Sequence, residues 1–257
     1  MSILQSLADA MATGSIKTVD LTFTLDPDFP VLVLPPELGQ CEPFRLEQVS
    51  RYDERGPGWY WQNFSCNEHT GTHFDAPIHW ISGRDLPNNS VDTIPVERFV
   101  APVVVADFSA EAGADEDFIL TGDHIKKWEA VHGAIPKGSW FLFRTDWSKR
   151  EPKDYINLRD DGAHSPGPDA SALKYLIEQV GIVGFGVETI GTDAGQGEHF
   201  DPPHPAHLLL HGNNCYGLQC LRNLDQLPPT GAMLLCAPLK IKQGSGSPLR
   251  VLALVEE

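Results

Sequence analysis

An α/β fold, one domain across residues 1–257 with a mixed or barrel-like β-sheet core and flanking helices, is what this sequence predicts. Candidate strands outnumber candidate helices, and no βαβ alternation is sustained. The 21 prolines and 23 glycines are scattered, which points to many short elements joined by tight turns, and no repeat or linker divides the chain.

In chain order, apolar runs bounded by turn residues mark strands at 18–24, 59–67, 102–107, 139–144, 182–186, 232–237 and 249–255. Helical patterning marks 2–11, 121–132, 169–180 and 205–210. The first reads as a short amphipathic helix with Ile3, Leu4, Leu7 and Met11 on one side. The third is bounded by Ser165-Pro-Gly-Pro-Asp169 and Gly181, a cap signal at each end. No glycine-rich loop opens a helix after a strand in the pattern of a dinucleotide or phosphate site.

The formal net charge is −16, from 35 acidic and 19 basic residues. A surface this acidic repels phosphate backbones and anionic lipid, so neither nucleic acid nor membrane is expected as a partner. No apolar run reaches the length of a membrane span. The first residues lack the charge and apolar core of a secretory signal. The five cysteines never fall in a CxxC spacing and read as buried thiols of a reducing compartment, so a cytoplasmic address is expected.

Chemistry concentrates in one place. His69, His73, Asp75 and His79 lie within eleven residues. Metal sites need several lone-pair donors converging on a point, and a sharply turning backbone achieves that over a short stretch. Gly71 and Pro77 supply the turns. In extended backbone His73 and Asp75 share a face. Imidazole with carboxylate suits Zn²⁺, Mn²⁺ or Fe²⁺, and the lack of thiolate spacing argues against a closed structural zinc site. Such a set leaves positions open for water and substrate. No Gly-x-Ser-x-Gly elbow is present, so activated water is favoured over a serine nucleophile.

The string from His69 to His79 resembles the HxGTHxDxPxH signature of the cyclase family, which includes bacterial kynurenine formamidases and the isatin hydrolases. Further similarity runs through 144–150, 164–168, 190–196 and 237–250. The resemblance implies the swivelling β/β/α fold of that family, with His69, His73 and Asp75 as metal ligands and His79 as catalytic base. The family also carries a downstream histidine followed twelve positions later by a carboxylate that helps hold a second metal. Here those positions are His207 and Gln219. A neutral amide supplies one charge fewer, so a single cation is expected, with Gln219 as fourth ligand and His207 turned to substrate. That departure points to the isatin hydrolase branch. It implies Mn²⁺ (alternatively Zn²⁺), a homodimer, and opening of a small aromatic cyclic amide, isatin to isatinate.

Trp59 and Trp80 flank the cluster in sequence, and indole walls suit a flat aromatic substrate. His164, before Ser165-Pro-Gly-Pro, is expected to orient a loop, and Asp193 is open between a site role and a loop role. Two other functions fit the same residues: an arylformamidase acting on N-formylkynurenine, and a non-catalytic protein that binds a metal or an aromatic ligand.

Overall fold

Nine strands form one sheet in the computed structural model, which describes residues 2–256. Across the sheet they run Ile16–Asp20, Leu252–Glu256, Ala232–Leu235, Val100–Asp107, Trp140–Arg144, Gly184–Val187, Tyr216–Gln219, His73–Asp75 and Gly246–Pro248. The four strands from Val100–Asp107 to Tyr216–Gln219 are mutually parallel, and every other neighbouring pair is antiparallel. The mixed sheet read from the sequence is therefore present.

Residue alternation explains why the parallel block lies at the centre. Val103, Val105, Trp140 and Leu142 pack on one face with Phe74 and Leu218. Val104, Ala106, Phe141, Phe143, Phe185 and Val187 pack on the other, against Ile125, Trp128, Leu173, Leu176, Ala206 and Leu210. These come from the helices Gly122–His132, Ala170–Lys174 with its π-helical continuation Tyr175–Val180, and Pro205–His211. Strands covered on both faces read as continuous apolar runs, and Trp140, Phe141, Leu142 and Phe143 are all essentially inaccessible.

The sheet must curl. Its last strand, Gly246–Pro248, lies seven strand spacings from Leu252–Glu256, about 33 Å if the sheet were flat. The chain covers the step from Pro248 to Leu252 in four residues, at most about 15 Å. Both hold only if the two ends of the sheet approach each other. Residues 21–23 stitch that closure: the Leu21 amide donates to Val251 O at 3.0 Å, the Arg222 amide to Leu21 O at 3.1 Å, and the Phe23 amide to Thr72 Oγ1 at 3.0 Å. The barrel-like expectation is met.

Helix caps fall where the sequence puts them. Asp169 accepts from the Ala172 amide at 2.9 Å, and Gly181 closes the same segment at φ +76°. The helix Ile3–Thr13 forms, capped by Ser2, but buries none of its residues; Ile3 is 88% exposed. Strand Arg45–Asp53 pairs with Gly56–Ser65 as a separate two-stranded arm, nearly all of it exposed.

Candidate metal centre

The three-residue strand His73–Asp75 carries the site. Phe74 points into the core beneath the curl, so its neighbours His73 and Asp75 project from the opposite face, as the spacing predicts. The residues opposite Asp75 on its two neighbouring strands are both glycines, Gly217 and Gly246. A Cβ on Gly217 would lie 2.7 Å from Gln219 Nε2, and one on Gly246 would lie 2.6 Å from His69 Cε1. The missing side chains make room for others to converge. Gly71, at φ +67°, turns the chain between His69 and His73.

The Asp75 carboxylate is 1% exposed and stands at the focus. His69 Nδ1 is 2.8 Å and His73 Nε2 3.4 Å from Oδ1. On Oδ2, the Gln219 amide N–H donates, with His207 Nε2 at 3.7 Å and His211 Nε2 at 4.0 Å. His79 stacks on His69 with ring centres 3.9 Å apart. Donor atoms of His69, Asp75 and His79 all lie within 4.8 Å of one another, and so do those of Asp75, His207 and His211. Three orphan atoms complete the picture. Gln219 Oε1 and both ring nitrogens of His211 are buried with no hydrogen-bond partner among the described residues. Buried lone pairs without a donor are costly unless something electropositive meets them. A divalent cation on Asp75 fits this donor set.

Burial keeps most of the imidazoles neutral. It pulls His73 and His211 down to about 4 and His79 to about 3, against the opposing pull of Asp75. Neutral rings are what ligands and bases require. His207 goes the other way: burial opposes its charge, but the Asp193 carboxylate, 2.5 Å from its Nδ1, outweighs that and raises it. Asp193 also accepts the Ala206 and His207 amides at 2.6 and 3.3 Å, fixing the start of the helix that presents His207 and His211.

The structure thus brings His69, His73, Asp75, His79, His207 and Gln219 together. Trp80 joins them, with its ring centre 4.6 Å from that of His207. Trp59 does not. It lies toward the tip of the exposed arm, 48% exposed, edge-on to Trp61 and over Gly56. Nearness in sequence does not carry Trp59 to the cluster, because its strand ends at Ser65 and a turn intervenes before His73.

Two participants, His211 and Ser245, escaped the sequence reading, and the role left open for Asp193 is decided by the structure. His211 stands four residues after His207 on one helix, a spacing that places two rings on one face and was a legible signal. Asp193 acts on the site rather than as plain loop. Ser245, 2.9 Å from His69 Nε2, is 176 positions distant in sequence and gave no local signal.

His164 orients a loop, as expected. Its Nδ1 is 2.7 Å from Asp117 and its Nε2 3.0 Å from Asp161, and these two carboxylates raise its pKa, Asp117 most. A raised imidazole stabilises the fold fully below its unfolded pKa of about 6.5 and loses that contribution as pH rises through the folded value. Melting temperatures from pH 5.5 to 8.5 should therefore show wild type losing ground to His164→Gln as pH rises. Parallel curves would remove the clamp.

Comparison with known proteins places these features in company. Residues 19–194 match the model of the family described as "Putative cyclase". Over 257 residues the chain is 49% identical to the isatin hydrolase of Roseibium aggregatum, covering 99% of this chain and 97% of that one. Isatin hydrolase A from Labrenzia aggregata, solved with benzyl benzoate bound, superposes with a TM-score of 0.98 at 63% identity and covers 100% of both chains. An isatin hydrolase bound to the product analogue thioisatinate gives 0.97 at 48% identity, again over 100% of both.

Proposed function

The chain belongs to the cyclase family, and from that premise we propose that it opens the five-membered amide ring of isatin to isatinate with the help of a divalent cation. The observation that carries this reading is the buried Asp75 carboxylate ringed by imidazoles, with unpartnered atoms of Gln219 and His211 on the residues beside it, in a chain related over its whole length to isatin hydrolases.

His69, His73 and Asp75 would hold the cation, with Gln219 turned to present its orphan Oε1. When bound, the cation supplies Lewis-acid stabilisation of the charge that develops on the attacked carbonyl oxygen. His79, neutral and stacked on His69, takes a proton from the attacking water. As the C–O bond forms and the ring C–N bond breaks, His79 returns that proton to the departing nitrogen. The second water proton leaves when the new carboxyl group ionises. Trp80 offers a flat wall beside His207, and His207, backed by Asp193, faces the substrate with Nε2. The protein's share is mainly positioning and charge stabilisation.

The reading extends to Mn²⁺ as the cation. Nitrogen and oxygen donors support it, and the nearby Cys220 thiol is pushed up to about 12 by burial, so it offers no thiolate. It extends also to a homodimer, supported by the apolar arm that exposes Trp59, Tyr60, Trp61 and Phe64, and to a cytoplasmic address, supported by five unpaired cysteines.

The test is a direct assay. Isatin absorbance should fall when protein and Mn²⁺ are added, and N-formylkynurenine, run beside it, should turn over far more slowly. Inactivity on isatin across a series of divalent metals would overturn the proposal.

A further inference from the structure

Glu68 and Ser245 form a chain of hydrogen bonds that ends on His69 and that the reaction above does not use. The Glu68 carboxylate accepts both the Ser245 amide, at 3.0 Å, and the Ser245 hydroxyl, at 2.6 Å. A carboxylate has no proton to give, so the hydroxyl proton goes to Glu68. Ser245 Oγ also lies 2.9 Å from His69 Nε2. With its own proton engaged, that oxygen accepts, and Nε2 must carry the hydrogen. The ring nitrogen left facing Asp75 Oδ1, at 2.8 Å, is Nδ1.

We propose that Glu68 and Ser245 are positioning residues that lock the His69 ring with its proton on Nε2, so that Nδ1 is the atom offered to a cation beside Asp75. This rests on the cation reading of the site. His73 supplies the contrast. Its Nδ1–H donates to Gly71 O at 2.8 Å, which leaves Nε2 toward the same carboxylate oxygen. Two histidines four residues apart thus present opposite ring nitrogens to one point, each fixed by a different partner. A metal-binding imidazole takes its tautomer and orientation from the bond made by its other nitrogen.

The Gly244-Ser245-Gly246 segment is shaped around this chain. A Cβ on Gly246 would stand 2.6 Å from His69 Cε1 and 3.0 Å from Nδ1, and one on Gly244 would stand 3.0 Å from Glu68 Oε1. The segment is anchored by the Ala76 amide donating to Ser245 O at 2.9 Å and by the pairing of Gly246 with Asp75. Either glycine substituted by a larger residue would displace a member of the chain.

Metal-stripped protein titrated with Mn²⁺, with free ion followed by electron paramagnetic resonance, tests the inference. Ser245→Ala should weaken binding by about 10- to 100-fold. Ser245→Thr, which keeps the hydroxyl, should recover most of the affinity. Glu68→Gln should fall between, because its amide can donate to Ser245 and release the hydroxyl proton. Melting temperatures of the metal-free forms report folding separately. In the wild type, ¹⁵N–¹H correlation of the zinc-loaded protein should place the His69 proton on Nε2. A proton on Nδ1, or Ser245→Ala binding Mn²⁺ as tightly as wild type, would overturn the relay and leave the cation site standing. A wild type that binds no divalent ion would remove the cation reading and the relay together.

Discussion

Asp75→Asn should yield a folded protein that no longer retains a divalent cation through dialysis and no longer opens isatin. The carboxylate is fully buried, and burial alone would raise its pKa. The imidazoles of His69, His73 and His79 prevail and hold it well below the usual range. It is the shared contact of both donor groups. Asparagine keeps the shape and removes the charge, and its amide hydrogens would occupy the ring lone pairs of His69 and His73 that a cation would otherwise use. Removing one partner from a buried charge assembly costs about 3–5 kcal/mol, or roughly 10²- to 10⁴-fold in cation affinity. Elemental analysis after dialysis reads the loss. Mn²⁺ should raise the melting temperature of wild type and leave that of Asp75→Asn unmoved. Full metal retention by the variant would move the site elsewhere.

His79→Ala should separate chemistry from binding. As a base, His79 contributes to kcat and not to holding the cation, so kcat should fall by about 10²- to 10⁴-fold while metal content stays at the wild-type level. The geometry makes this a sharp test, because the His79 donor atom lies within 4.8 Å of those of His69 and Asp75. Loss of metal together with activity would recast His79 as a ligand. Unchanged turnover would end its role in the reaction and favour a protein that only binds.

The sequence shows the elements that carry their own pattern. Strand Trp140–Arg144 announces itself as an apolar run because both faces are covered, and the helix begun by Asp169 announces itself through its caps. Strand Arg45–Asp53 is almost wholly exposed, so it has no buried face to leave an alternation, and it passed unseen. Strand His73–Asp75 is three residues long, too short for any periodicity. Its residues were legible as chemistry rather than as structure, since clustered donors need no pattern to stand out. What stayed hidden is the far side of the site. Ser245 lies 176 positions from His69, and Gln219, 144 positions from Asp75, was reached only through the family resemblance. Only the curl of the sheet makes them neighbours, and no local window of sequence encodes that.

The short step from Pro248 to Leu252 has a consequence for the order of folding. Asp75 lies between Gly217 and Gly246, so two of the walls around it come late in synthesis. Until those two segments join the sheet, His69, His73 and His79 lack the slots that align them. Loop closures this long are slow. A site walled by such distant segments should therefore take up its cation only once the sheet has curled and those segments are paired.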